Sequence, residues 1–278
     1  LSLLFGASTV SEKIARVAYR LDTSPATYDC LSFLAITEVA RRASAVDKLV
    51  IAIVPGRRHL TERDHLMPSA IHTWRSEVLL PQLAMLLPSC CGVVRGDPAT
   101  DQQTVPYITA PLPYGPHLVG PTYMQALLPF SEPYLTVTVR QSWLQLERNT
   151  AGWWNDLIPR LPLPVVVVPD TEASLAGHPC VVTAGTQYEP AAWNVALRFA
   201  LYKKARLNLF TSGGPCMLAP YSDLHAEIFG LHVPQHPACT AVNLTKIGML
   251  DGRVVQNTRF HWDQNADQIV NAVKERLT

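Results

Sequence analysis

The chain has 278 residues, of which 48% are apolar and only 16% are charged, and its formal net charge is +1. This composition is typical of a globular chain with a substantial core, and it excludes a disordered one. Lysines and arginines are scattered rather than clustered in a basic stripe, so we expect no nucleic-acid partner. No apolar run reaches about 18 residues, so we expect no transmembrane span.

The cysteines and the first residues bear on where the protein works. The six cysteines show neither C-x-x-C spacing nor a disulfide framework, which favours a reduced compartment and predicts a cytoplasmic location. Residues 1–8 are apolar but short and lack a preceding basic region, so they look like neither an intact signal peptide nor an anchor. Peripheral contact with a membrane surface remains open.

The first part of the chain alternates strand and helix patterns. In order, they predict a strand at 14–21, a helix at 28–45, a strand at 49–54, a helix at 72–87 interrupted by Pro81, and a strand at 91–95. Such alternation predicts βαβ units and a parallel sheet.

Residues 96–133 separate this part from a second one. Eight prolines fall within the segment, which favours a defined, semi-rigid crossing with a short helix near 122–128. We place the domain boundary here, giving an acceptor-side domain at 1–125 and a nucleotide-sugar-binding domain at 126–278.

A second α/β series follows the crossing. Its predicted elements are strands at 134–140, 164–168, 178–183, 207–210 and 227–233, and helices at 150–161, 190–203 and 265–277. The two series together predict an α/β protein with two Rossmann-like, doubly wound domains facing across a cleft.

The most informative stretch is RLNLFTSGGPCMLAPYS at 206–222. An apolar strand stops at the turn Thr211-Ser212-Gly213-Gly214, and Pro215 is placed to open a helix. Such a turn directs backbone N–H groups and the positive end of a helix dipole away from the sheet edge, which suits an anion. An ordinary strand-to-helix turn is the alternative.

Charged side chains follow two other strands of the second series. Arg140, with Arg148 and Asn149, can clamp a diphosphate through charge-assisted bonds, although Arg148 can equally pair with an acidic neighbour at the surface. Asp170 follows the run VVVVP, where a carboxylate can bind ribose hydroxyls or can instead cap a turn or helix.

Two carboxylates near the first strand are candidates for a general base. Asp22 and Asp29 flank the loop after that strand, and either can face the cleft toward an acceptor hydroxyl. The alternative for Asp29 is an exposed position in the first turn of its helix.

Several well-known motifs are absent. The chain has no G-x-G-x-x-G, no P-loop and no G-x-S-x-G, which weighs against a standard NAD dehydrogenase, a P-loop NTPase and an α/β-hydrolase. The histidines at 225, 232 and 236 match no strong metal motif, so we predict no metal site.

From Tyr134 onward the chain resembles the C-terminal domain of a GT-B glycosyltransferase. Residues 211–219, TSGGPCMLA, are similar to the threonine-glycine-proline-methionine-histidine-leucine-alanine segment with which the heptosyltransferase-like (family 9) enzymes hold the donor diphosphate. Gly214 and Pro215 match, as do the Leu and Ala that end the segment, whereas the family histidine is replaced by Met217. The strand ending in Arg140 is also similar to that family's strand leading the donor domain.

The resemblance implies a nucleotide-sugar donor held mainly by the second domain, a glycan or lipid-linked acceptor facing the first, and no obligatory metal or other cofactor. On this interpretation the turn at 211–214 binds the diphosphate, with N–H groups from Ser212, Gly213 and Gly214. Arg140 and Arg148 offset the negative charge of the diphosphate, and Asn149 also binds the donor. Asp170 or Glu189 binds the ribose or the sugar, and Asp22 or Asp29 is the base.

Two alternatives stay open beside this glycosyltransferase. One is a nucleotide-sugar epimerase on the same fold, which would need acid and base groups on both faces of the sugar and no acceptor. The other is a catalytically silent α/β subunit that scaffolds a surface-assembly complex.

Overall fold

The structure is a computed structural model that describes residues 12–60, 62–141, 153–231, 240–251, 256–263 and 265–278. Its strands are β1 Ile14–Arg20, β2 Lys48–Val54, β3 Cys90–Arg95, β4 Leu135–Thr138, β5 Val165–Val168, β6 Thr186–Gln187, β7 Leu207–Thr211, β8 Ala226–Phe229 and β9 Thr258–Phe260. Its α-helices are α1 Cys30–Ala43, α2 Glu62–Leu66, α3 Ser69–Trp74, α4 Leu80–Ala84, α5 Trp154–Leu157, α6 Thr171–Leu175, α7 Pro190–Trp193, α8 Val195–Lys204, α9 Ala241–Lys246 and α10 Ala266–Leu277. Within these described ranges, no helix is both long enough and apolar enough to cross a membrane.

The strands form two parallel sheets. The first has the order β1-β2-β3, and the second has the order β6-β5-β4-β7-β8-β9. The predicted α/β class with a parallel sheet in each half is therefore confirmed. In the second sheet the chain runs outward from β4 to β6 and then returns to β7 on the other side of β4. This is the doubly wound order, and its switch point lies between β4 and β7.

The two halves share one apolar core. A single cluster of buried side chains includes Tyr19 and Leu31 from the first half and Val168, Phe210 and Leu218 from the second. A separate cluster covers the other face of the second sheet, where α5 and α10 pack on β4, β5 and β7. Because burial of apolar surface is the main favourable term in folding, the shared core holds the halves together as well as stabilising each one.

The proline-rich crossing is fastened to both halves. Val119 N donates to Leu86 O at 2.8 Å, while Leu118 N donates to Tyr221 O at 2.9 Å. The predicted short helix occurs as a 3-10 helix at Thr122–Leu127. The predicted boundary at 125/126 falls within this segment, between the two sheets, and it stays a prediction.

Some predicted elements differ from those in the structure. The helix predicted at 190–203 divides into α7 and α8 at Asn194, whose side chain caps Leu197 N at 2.9 Å. The helix predicted at 72–87 passes through a π-helix at Arg75–Leu79 just before Pro81, a residue that lacks the N–H for a regular α-helical bond. The strand predicted at 178–183 is irregular, and the chain instead pairs with β5 at β6.

Candidate active site

The candidate site is a cleft at the switch point of the second sheet. The carboxyl end of β4 brings Arg140 to the cleft, and the carboxyl end of the neighbouring β7 brings Ser212, Gly213 and Gly214. The loop before α1 lies opposite and contributes residues 27–29 from the first half. The cleft has a volume of about 320 Å³. Ligands of open α/β sheets bind in crevices of this kind, at the carboxyl ends of strands where the order reverses.

Two close contacts explain the glycines of the turn. A Cβ added at Gly213 would lie 2.9 Å from Arg140 Nη1, and a Cβ added at Gly214 would lie 2.7 Å from Cδ2 of Tyr28. Gly213 has an extended backbone that any residue can adopt, with φ at −180°, so contact rather than conformation requires the glycine there. The turn therefore lets an arginine of its own half and a tyrosine of the other half approach the same backbone.

The turn offers fewer N–H groups than the sequence suggests. Ser212 N already donates to Phe229 O at 2.8 Å, which continues the pairing of β7 with β8, so its N–H is not available to a ligand. Gly213 and Gly214 stand at the start of a 3-10 helix, Gly214–Leu218, where N–H groups have no partner within the helix. The predicted short helix is thus one tight segment with a smaller dipole than an α-helix of several turns.

Arg140, the first cation of the predicted clamp, is among the residues that line the cleft. It follows β4, is half-buried, and lies against Gly213. The other two members of the predicted clamp, Arg148 and Asn149, lie outside the described residues.

Asp170 caps a helix, which is one of its two predicted roles. Its Oδ1 accepts hydrogen bonds from Glu172 N at 2.9 Å and Ala173 N at 3.1 Å, at the start of α6. Its Oδ2 accepts from Gln141 N at 3.2 Å, which ties the end of β5 to the residue after Arg140. Asp170 does line the cleft, but three N–H donors occupy most of the acceptor sites of a carboxylate, which number about four.

Two further residues predicted to bind the donor are not among those that line the cleft. Glu189 is exposed at the start of α7. Thr211 is buried at the end of β7, and its Oγ1 has no hydrogen-bond partner within the described part of the chain. Their roles in donor binding stay predictions.

The structure separates the two candidate bases. Asp29 lines the cleft at the start of α1, and its Oδ2 accepts a hydrogen bond from Thr27 Oγ1 at 2.8 Å. Asp22 does not line the cleft, because its carboxylate turns to Arg20, which donates from Nε at 3.1 Å and from Nη2 at 2.7 Å. These bonds also lower the pKa of Asp22, which weakens it further as a base. Of the two carboxylates, Asp29 is therefore the one that can meet a ligand in the cleft.

A buried arginine at the cleft was missed in the sequence. Arg198 on α8 is 1% exposed and donates to Tyr28 OH at 2.7 Å, to Thr171 Oγ1 at 3.0 Å and to the carbonyl oxygens of Ala191 and Ala192. These acceptors are all uncharged. The signal in the sequence was an arginine within the apolar run VALRFALY. Burying a charge at such a position is unfavourable in free energy unless the charged group is hydrogen-bonded.

A second missed feature joins the halves across the cleft. Arg75, in the π-helix, pairs with Glu172 of α6, and its Nη1 also donates to Ala26 O at 3.3 Å. The second carboxylate oxygen of Glu172, Oε2, is buried and has no hydrogen-bond partner among the described residues. Glu172 itself is one of the residues that line the cleft.

The described residues include no group of three or more His, Cys, Asp or Glu side chains placed to hold a metal ion. Of the three histidines considered as ligands, His225 is described, and those at 232 and 236 lie outside the described ranges.

Comparison with known proteins finds similarity of structure alone. No protein-family description and no curated protein sequence matches the chain. Among solved structures, the chain is similar to a glycosyl transferase of family 9 from Veillonella parvula DSM 2008, at 10% identity and a TM-score of 0.44, covering 96% of this chain and 97% of that one. It is also similar to the spinosyn rhamnosyltransferase SpnG in complex with spinosyn aglycone, at 14% identity and a TM-score of 0.34, covering 90% of this chain and 72% of that one.

Proposed function

We propose that this protein is a glycosyltransferase that moves a sugar from a nucleotide-sugar donor to the hydroxyl group of an acceptor. The observation that carries the proposal is the meeting of Arg140 and the Gly213-Gly214 turn at the switch point, with Asp29 on the opposite wall. A cation and backbone N–H groups at the start of a helical turn suit a diphosphate, and a carboxylate across the cleft suits an attacking hydroxyl.

The proposed reaction follows from these positions. Asp29 accepts the proton of the acceptor hydroxyl while the hydroxyl oxygen forms a bond to the anomeric carbon of the donor sugar. The bond from that carbon to the diphosphate oxygen breaks, and the nucleoside diphosphate leaves with the electron pair. Arg140 offsets the charge that develops on the leaving group, which is the kind of electrostatic stabilisation that contributes most in enzymes.

Two other groups support substrate binding in this proposal. Arg198, behind the turn, adds a second positive charge in a site of low exposure. Glu172 lines the cleft, and its carboxylate is the group we assign to a hydroxyl of the donor sugar or ribose, the role that sequence analysis gave to Asp170 or Glu189.

Calorimetric titration with a panel of nucleotide sugars tests the first step. We expect one donor to bind and Arg140→Ala to weaken its binding by about tenfold or more, which is the size of effect of losing a charge-assisted contact. Arg160→Ala is the matched control, because Arg160 pairs with Asp267 at the surface, away from the residues that line the cleft. The proposal is wrong if no donor releases or absorbs heat, or if the two variants behave identically.

The two alternative functions are distinguished by further observations. Incubating the donor without acceptor and finding an epimer would favour the epimerase. A silent subunit is expected to have a cleft without convergent charged groups, whereas Arg75, Arg140, Arg198, Asp29 and Glu172 line this one. A cytoplasmic location belongs to the same proposal, and free thiols at Cys30, Cys90, Cys91 and Cys180 are compatible with it.

A further inference from the structure

One part of the cleft is apolar, unlike the charged part around Arg140. It is lined by residues of the proline-rich crossing, of the end of β8, and of α9 with the turn that follows it. We call this part the apolar lobe, and its defining residues are Ile108, Leu112, Leu231, Leu244, Ile247 and Met249. Among the described residues, Asn243 is the polar side chain that α9 adds to the cleft lining.

The wall of the lobe is built by core packing. Leu112, Leu231, Leu244 and Met249 are between 4% and 7% exposed, so their positions are set by the structure and not by a ligand. The backbone closes the wall, since Leu112 N donates to Ile247 O at 3.0 Å and joins the crossing to the end of α9. Ile108, at 46% exposed, stands at the rim.

The lobe is close to the candidate base. Ser32, one turn after Asp29 on α1, lies within hydrogen-bond distance of Tyr221 OH, at 2.8 Å. The ring of Tyr221 packs against the ring of Tyr114, with centroids 5.2 Å apart, and Tyr114 is two residues from Leu112. Asp29, Ser32 and the residues of the lobe all line the same cleft.

The chemistry of the lobe discriminates between the two acceptor classes left open by the sequence. A glycan presents hydroxyl groups, and placing them against aliphatic side chains without hydrogen-bond partners is unfavourable. An apolar body gains free energy when it leaves water for the same surface. Pockets that bind apolar ligands have this combination of an apolar wall and a few polar groups.

We propose that the apolar lobe binds the body of an apolar acceptor, an alcohol with an aliphatic or isoprenoid chain, whose hydroxyl is presented to Asp29. That the bound molecule accepts a sugar rests on the proposed function. Binding of the apolar molecule itself can be measured without sugar transfer. The charged part of the cleft then holds the donor, and the apolar lobe holds the acceptor.

Direct binding of farnesol, with maltotriose as the glycan comparison, tests the inference on the full chain. We expect farnesol to bind and maltotriose not to bind. Ile108→Asp and Ile247→Asp should each weaken farnesol binding by about tenfold or more, because a charge is placed in an apolar wall. Both variants should bind the nucleoside diphosphates ADP, GDP and UDP as the unaltered chain does.

Val242→Asp is the matched control, because Val242 lies on α9, the helix that ends just before Ile247, is 81% exposed and does not line the cleft. It should leave farnesol binding within about twofold. Thermal unfolding of each variant checks folding, and the rim position of Ile108 keeps at least one variant free of a packing defect.

The outcomes separate this inference from the proposed function. Binding of maltotriose without binding of farnesol overturns the apolar acceptor, even where nucleotides bind. Unchanged farnesol binding in both lobe variants overturns it as well. Farnesol binding that depends on Ile108 and Ile247 supports the lobe, even if no nucleotide sugar binds and the proposed transfer reaction fails.

Discussion

The two halves of the molecule bring different chemistry to the same cleft. The second half contributes Arg140, Arg198 and the glycine turn, whereas the first contributes Tyr28 and the carboxylate of Asp29. The difference follows from the strand order of the two sheets. In the second sheet the order changes direction between β4 and β7, which opens a crevice there, whereas the three described strands of the first sheet follow one another in chain order. Donor binding is therefore expected to depend on the second half, and activation of the acceptor on the first.

The strongest way to break this comparison is to remove the carboxylate of the first half. Asp29→Asn should lower the turnover rate by about 10³-fold, since general bases contribute on that scale. Donor affinity should change little, because the proposed contacts to the diphosphate come from the other half. Steady-state kinetics and calorimetry on the same preparation measure the two quantities.

Asp22→Asn is the control for that variant, because it removes a carboxylate that lies outside the cleft lining and is bonded to Arg20. Its turnover rate should stay within about twofold of the original. A large loss in Asp22→Asn with full activity in Asp29→Asn would reverse the assignment of the base.

The next effect concerns the residue that joins the halves. Arg198→Met keeps an unbranched apolar stem but removes the guanidinium and its bonds to Tyr28, Thr171 and two carbonyl groups. We expect the free energy of unfolding to fall by about 3 kcal/mol, because buried acceptors lose a charged donor. Urea unfolding measures it, and Arg160→Met at a surface ion pair should cost no more than about 0.5 kcal/mol.

Acid should weaken the first half through Glu38 on α1. Burial alone would raise the pKa of Glu38, but hydrogen bonds from Arg41, Ser89 and Arg42 lower it from 4.5 to about 2. Because the pKa is lower in the folded state, the stabilisation is complete above the unfolded value and is lost as the pH falls from 4.5 toward 2. We expect the free energy of unfolding, measured with urea, to be about 2 kcal/mol lower at about pH 3 than at about pH 6. In Glu38→Gln, which has no titrating carboxyl group at this position, the difference between the two pH values should be smaller.

The smallest effects distinguish the two glycines. Gly214→Ala drives a methyl group into the buried ring of Tyr28 and should lower the free energy of unfolding by about 1 kcal/mol. Gly213→Ala meets only the flexible end of Arg140, so stability should hold while donor affinity falls by about tenfold. Equal effects of the two substitutions on both quantities would contradict the division of the turn between Tyr28 and Arg140.

Local patterns in the sequence predicted most of the elements that build the cleft. The apolar run at 207–210 and the small residues after it predicted β7 and its turn, because strand propensity and glycine turns depend on neighbouring residues alone. The same holds for β1, β2, β5 and α10, and for the position of Arg140 at a strand end. Short elements were missed, such as α6, α9 and β9, because their patterns span too few residues to stand out.

By itself, the sequence determined the α/β class, the order of the main strands and helices, and the turn beside Arg140, since all of these are encoded by residues near one another in the chain. Tertiary structure decided which carboxylate faces the cleft, that Asp170 caps α6, and that Arg198 reaches Tyr28 over 170 positions. It also decided that the glycines 213 and 214 receive side chains from two different halves. These contacts join residues far apart in sequence, and only packing around the shared core brings them within hydrogen-bond distance.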